Sequence, residues 1–187
     1  MHASVCDFII DCVQNSIEAN AEEILLFLYE STDDFSIKII DNGAGMTDEE
    51  VQNAVDPFYT DGSKHKERKV GLGIPFMIQS VEQVSGKWAI NSKKGRGTEL
   101  SFNFPLNNID TPPIGDISGM LLQVLMFDGD FELKFDRVLV RDSSELKYTI
   151  SRLELKEVLG DLNSADSLIL AKQYLRSQEE DLIEGDS

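Results

Sequence analysis

The sequence predicts an α+β protein, and three observations predict it. Residues 3–19 place apolar side chains at Val5, Phe8, Ile9, Cys12, Val13 and Ile17, the spacing of one helix face. Two pairs of apolar runs, 23–31 with 34–40 and 87–93 with 97–106, are each joined by a short polar turn, as in antiparallel strand pairs. Residues 107–187 then read as a helix, a hairpin and two further helices.

Taken in order, "ASVCDFIIDCVQNSIEA" is the first helix, and "EILLFLYES" and "DFSIKII" are the first strand pair. Residues 41–70 show no clear periodicity and mix Gly, Asp, Lys and Pro. So long an irregular stretch in a small domain is usually functional. "GIPFMIQSVEQV" (73–84) is helical: Pro75 falls in its first turn, where its missing N–H costs nothing, and Gly86 stops it. "KWAINSK" (87–93) and "GTELSFNFPL" (97–106) form the second strand pair.

"NNIDTPPIGD" (107–116) crowds Pro, Gly and Asn together, which places a domain boundary there. The expected division is 1–106 and 107–187. In the second part, 117–127 is a helix, and 131–140 with 145–151 a hairpin whose alternation slips near Asp136, predicting a bulge or bend. "SRLE" (151–154) is a capping-box signature. Helices are expected near 152–159 and 165–180, and the tail "EEDLIEGDS" is expected to fray.

The chain has 187 residues and a formal net charge of −17, from 34 acidic and 17 basic residues. Such a charge repels phosphate backbones and argues against nucleic-acid binding. The acid is spread along the chain, as on a soluble surface. No apolar run reaches 18 residues, and the start lacks the basic region of a secretory signal, so the expectation is a cytoplasmic protein with no membrane span. Cys6 and Cys12 lie six apart on one helix and cannot bridge each other, so they read as buried reduced thiols.

Three segments carry the chemistry. In "DCVQNSIEA", Asp11 and Asn15 are four apart and share a helix face. A carboxylate beside an amide oxygen suits a hydrated Mg2+ and a water to be activated. Taken alone, a solvated polar stripe is the better reading. In "DNGAGM" (41–46), Asp41 stands where a strand runs into a loop, and Gly43 and Gly45 permit close backbone approach to a flat ring. A carboxylate accepts hydrogen bonds and an adenine amine donates them, although "DNG" is also an ordinary turn sequence. In "KVGLGIPF" (69–76), Gly71 and Gly73 lead into a helix N-terminus, whose free N–H groups attract phosphate. A lone Gly-x-Gly is common.

Together, in this order and spacing, the segments resemble the GHKL superfamily of ATP-binding domains. Its members are gyrase-type topoisomerases, heat-shock chaperones of the ninety-kilodalton class, sensor histidine kinases and MutL-type repair proteins. "DCVQNSIEANA" resembles the N box, "DNGAGM" the first glycine box and "GLG" the second. "DPFYT" (56–60) is similar to the F box of the kinases, and "GRGT" (95–98) to the closing Gly-Thr motif. The resemblance covers roughly residues 5–106.

The resemblance implies a two-layer α/β sandwich of the Bergerat type, with helices on one face of a mixed sheet and residues 107–187 as a small α+β extension. It implies ATP and Mg2+ as ligands. Asn15 would hold the metal and Asp11 would act as general base, in a place where the family often has Glu. Asp41 would read the adenine amine, Gly43 and Gly45 would shape the base pocket, and Thr98 would support the Asp41–adenine contact. Gly71 and Gly73 would cradle phosphates, and Met46 and Leu72 belong to the same binding set. A lid at about 47–70 would offer Lys64, Lys66, Arg68 and Lys69 to phosphate oxygens. Lys69 stands where the second box usually begins with another Gly.

The implied function is a cytosolic Mg-ATP-binding regulator that acts through a protein partner, as a kinase or an ATP-gated binding module, with weak ATPase activity. The alternatives are a stand-alone MutL-like ATPase with a lid or dimer cycle, and a non-hydrolysing nucleotide sensor. The histidines are His2 and His65, and no phosphoacceptor helix pair is present, so a complete sensor histidine kinase is not expected. The second part is expected to serve a protein partner or a homodimer, the alternative being an extension that packs on the first part.

Overall fold

The computed structural model describes residues 4–56, 73–142, 144–162 and 164–184. Among the described residues, six helices and six strands follow in order: α1 (Val5–Glu18), β1 (Glu23–Glu30), β2 (Asp34–Asp41), α2 (Asp48–Val55), α3 (Gly73–Gln83), β3 (Trp88–Lys93), β4 (Gly97–Pro105), α4 (Ile117–Leu125), β5 (Glu132–Arg141), β6 (Ser144–Ser151), α5 (Arg152–Leu159) and α6 (Ala165–Glu184). The strands form one mixed sheet in the order β3-β4-β2-β1-β5-β6. The pairing of β1 with β5 is parallel, and the others are antiparallel.

Strand alternation decides where the helices lie. Ile24, Leu26 and Leu28 of β1, Phe35, Ile37 and Ile39 of β2, and Leu133 and Phe135 of β5 all point to one face and are buried. Val5, Phe8, Ile9, Cys12 and Val13 of α1 meet them, together with apolar residues of α3, α4 and α6, in one continuous core. The opposite face stays open, and Lys38 and Glu99 pair across it at 3.0 Å. This is the expected two-layer α+β arrangement.

The strands on both sides of the 107–116 linker share that sheet, and the core runs through both. The linker itself straps the start of α1. The N–H groups of Val5 and Cys6 donate to the carbonyls of Pro113 and Ile114, both at 2.9 Å. Two of the four orphan donors of that helix end are thereby satisfied by residues more than a hundred positions away.

Three expectations need correction. Residues 48–55, read as irregular, form α2. Thr47 accepts from the Glu50 amide at 3.2 Å and Glu50 accepts from the Thr47 amide at 2.9 Å, a capping box written as "TDEE". The helix buries little beyond Ala54, so it leaves no apolar periodicity in the sequence.

There is no bulge at Asp136. Pairing runs unbroken from Glu132 to Leu139 against β1 and from Lys134 to Arg141 against β6. The apparent slip arises because Arg137 occupies an inward position. It is 2% exposed, bonded to Glu30 of β1 and paired with Glu179 of α6 at 3.4 Å.

The tail does not fray at 179. Residues 179–184 continue α6, because Glu179 also accepts the Tyr148 hydroxyl and Leu182 is buried.

Cys6 and Cys12 are buried free thiols, as expected. Burial, helped by nearby carboxylates, pushes both up to about 12. Among the described residues no helix is long and apolar enough to cross a membrane.

Candidate functional site

The site is built around the last residue of β2. Asp41 pairs with Thr98 of β4 in the sheet register and is 9% exposed. A carboxylate so buried needs donors, and three protein groups supply them. Its Oδ1 accepts from the amides of Gly43 at 2.9 Å and Thr98 at 3.3 Å, and its Oδ2 accepts from the Ser16 hydroxyl at 3.0 Å. Each carboxylate oxygen offers about two acceptor positions. Oδ2 therefore keeps one for a further donor.

Thr98, expected to support an Asp41–adenine contact, reaches the carboxylate through its amide. Its hydroxyl turns to Ser92 Oγ instead, at 2.9 Å. Ser92 also receives the Met46 amide at 2.8 Å and lies 3.1 Å from the Gly97 carbonyl. The loop after Asp41 is thus tied to the β3–β4 hairpin, and a bond from the Gly95 amide to the Ala44 carbonyl at 2.7 Å tightens it.

Two glycines are required by this close approach. Gly45 has φ +60, and a Cβ there would lie 2.1 Å from the Lys93 carbonyl oxygen. Gly97 has φ +90, and its Cβ would lie 1.9 Å from the Asp41 carbonyl oxygen. Both positions combine a left-handed backbone with no room for a side chain. Asn42 faces away from this approach and fixes the turn into β1. Its Oδ1 accepts the amides of Glu22 and Glu23 at 2.8 and 2.9 Å.

α1 lines a second side. Asp11 and Asn15 share a face, one turn apart. A Cβ on Gly73, at the start of α3, would meet Asp11 Oδ2 at 2.8 Å, so the carboxylate lies directly against that helix N-terminus. Asn15 is half-buried, and its side-chain amide makes no hydrogen bond among the described residues. The same residues hold no group of three or more His, Cys, Asp or Glu that could hold a metal ion. A cation here would depend on Asn15 and on the oxygens of a ligand.

The structure thus joins Asp41, Gly43, Met46 and Thr98 by hydrogen bonds that run through Ser92, packs Gly45 beside them, and sets Asp11 and Asn15 on the face of α1 next to Gly73 of α3. Lys64, Lys66, Arg68, Lys69, Gly71 and Leu72, with most of "DPFYT", lie outside the described residues. Sequence reading missed Ser16 and Ser92. Ser16 carried a signal, as a polar residue on the apolar stripe that runs through Ile9, Cys12 and Val13.

A family model described as "Histidine kinase-, DNA gyrase B-, and HSP90-like ATPase" matches residues 4–108. The chain belongs to this ATPase family.

The match spans α1 to the end of β4 and includes every described residue of both groups. Sensor proteins and a sporulation kinase are similar to about half of the chain. The sensor protein KdpD of Clostridium acetobutylicum is 36% identical over 80 residues, covering 42% of this chain and 9% of the relative. Sporulation kinase E of Bacillus subtilis is 29% identical over 100 residues, covering 52% and 13%. Sensor protein DegM of Bacillus sp. is 30% identical over 100 residues, covering 52% and 26%. The chain therefore spans about a quarter or less of these relatives' length. Among solved structures, the N-terminal domain of a DNA repair protein superposes with a TM-score of 0.57 at 13% identity, covering 86% of this chain and 58% of that one. That likeness shows the fold, and it extends past the family match into the second part.

The hydrogen bonds of Ser92 give this ATPase domain a testable hinge. Ser92→Ala releases the Met46 amide and the Thr98 hydroxyl together. A net hydrogen bond is worth about 0.5–1.5 kcal/mol, so the expected loss of stability is about 1–3 kcal/mol, read by urea denaturation. Amide hydrogen exchange is expected to rise at Met46 while the β1–β2 amides keep their protection. Unchanged exchange at Met46 would show that Ser92 does not hold the loop.

Proposed function

We propose that this chain is a cytosolic Mg-ATP-binding regulator that acts through a protein partner and hydrolyses ATP weakly. The observation that carries this reading is the Asp41 carboxylate: buried at a strand end, fixed by three donors, with an acceptor position still open on Oδ2. That chemistry suits the amine of adenine, with Gly43 and Gly45 beside the ring. The family match supports ATP as the ligand.

The roles along α1 follow. Asn15 holds Mg2+ through its amide oxygen, and the metal, when bound, neutralises phosphate charge. Asp11 orients and deprotonates the attacking water. Its side chain is one carbon short and pressed against Gly73. A general base works within about 2.6–3.2 Å of its water and contributes roughly 100- to 10,000-fold. Restricted reach therefore gives slow turnover. Gly71, Gly73 and Leu72 serve the phosphates, as do Lys64 and Lys69.

The test is to incubate purified protein with radiolabelled ATP and follow phosphate release and self-labelling together. Asp11→Asn is expected to slow release at least tenfold with ATP affinity nearly intact. Asn15→Ala is expected to lose Mg2+-dependent binding and to keep part of the metal-free binding. Turnover unchanged in Asp11→Asn would exclude it as the base and favour a nucleotide-gated binding module. Fast turnover without a partner would instead favour a stand-alone ATPase cycle.

A further inference from the structure

The second part of the chain leaves an apolar groove uncovered. It lies where the end of β6, α5 and α6 meet, has a volume of about 440 Å³, and is lined by Ile150, Leu155, Val158, Leu159, Leu170 and Tyr174. Val158 is 80% exposed and Leu170 53%. Contiguous exposed apolar surface of this kind marks an interaction site.

The charges that α5 and α6 hold at its rim are acidic. Glu154 lines the groove, and Asp166 and Asp181 lie on the α6 stripe of Leu170 and Tyr174, at helical spacings of four and seven. The basic residues of both helices are turned away or committed. Lys172 and Arg176 each sit two positions from a groove residue, across α6 from it, and Lys156 lines a separate pocket with Arg152 and Gly160. Arg176 bonds Glu180 at 2.7 Å, and Arg152 is buried among the carbonyls of Leu125, Phe127 and Phe131.

We infer that this groove docks an amphipathic helix with Lys or Arg on its polar edges, supplied by a protein partner. A slot beside two helices takes the apolar face of a third. The acidic rim selects a basic one and disfavours a second copy, which would bring the same rim and a further formal charge of −17. The proposal rests on the regulator reading above and names its partner's chemistry.

The test uses the whole chain and a fluorescein-labelled 18-residue peptide of Leu and Lys at helical spacing. Two more peptides replace Lys by Glu, or Leu by Ser. Anisotropy titrations are expected to show binding of the Leu/Lys peptide that weakens with salt, and at least tenfold weaker binding of the other two. Val158→Ser and Leu170→Ser keep the net charge and are expected to weaken the Leu/Lys peptide at least tenfold, with far-UV circular dichroism and ATP titration unchanged. Equal binding by both variants, or by the Lys/Ser peptide, would show diffuse charge attraction and overturn the docking site. A dimer in sedimentation that both variants abolish would assign the groove to a second copy and overturn it equally. Because ATP binding is followed in the same samples, failure of the groove and failure of the ATP-site reading are separately visible.

Discussion

Asp41→Asn is expected to lower ATP affinity by about tenfold or more while the domain stays folded. The substitution keeps one oxygen, which can still accept from the Gly43 and Thr98 amides. It converts the other into an NH2 group, placed where Ser16 and the ligand both donate. Donor then faces donor. An unsatisfied buried group costs about 1–3 kcal/mol, and each 1.4 kcal/mol is about tenfold in affinity. Isothermal calorimetry reads the change directly. Affinity equal to that of the parent would remove Asp41 from the base pocket.

Arg137→Met is expected to be among the most destabilising changes in the chain, by about 3–5 kcal/mol, as is usual when one partner of a buried ion pair is removed. The guanidinium lies inside the sheet–helix layer and holds Glu30 of β1 and Glu179 of α6, whose side chains are 16% and 12% exposed. Without it, two largely buried carboxylates lose the cation they share, and the Tyr148 hydroxyl hangs on one of them. Methionine fills much of the volume, so the loss is electrostatic rather than a cavity. The triple variant with Glu30→Leu and Glu179→Gln removes the stranded charges and keeps an acceptor for Tyr148. It is expected to recover most of the stability in urea unfolding. A single variant within 1 kcal/mol of the parent would show that water reaches the cluster and screens it.

Much of the fold was legible because its elements bury one face. α1, the strand pairs and α3 carry the periods of 3.6 and 2 that such burial imposes, and their ends fell within a residue or two of the expected ones. α2 was illegible by period, because a helix lying over a loop needs little apolar surface; its signal was the cap at Thr47 and Glu50. The bulge or bend expected near Asp136 came from a slip in the alternation, which Arg137 causes by standing at an inward position. A charge paired with Glu30 and Glu179, far away in sequence, cannot be recognised from its neighbours.

The site divides in the same way. Asp41, Asn15 and the glycines stood out through motif spacing. Ser16 and Ser92 did not, because a hydroxyl becomes informative when its partner is known, and those partners are 25 and 46 residues distant. The sharing of one sheet by both parts of the chain was equally hidden, since parallel pairing of β1 with β5 leaves no local signature.

That parallel pairing has a consequence for how the protein is made. Glu23 of β1 meets Glu132 of β5, so about a hundred residues must leave the ribosome after β1 before its neighbour exists. At roughly 5–20 residues per second, that interval is about 5–20 s. Throughout it, β1 can pair with β2 on one side while the other side offers a bare row of N–H and C=O groups and a Leu- and Phe-rich strand. Such an edge is a template for other extended chains. Until the linker and the hairpin beyond it have emerged, that edge stays open to pairing elsewhere.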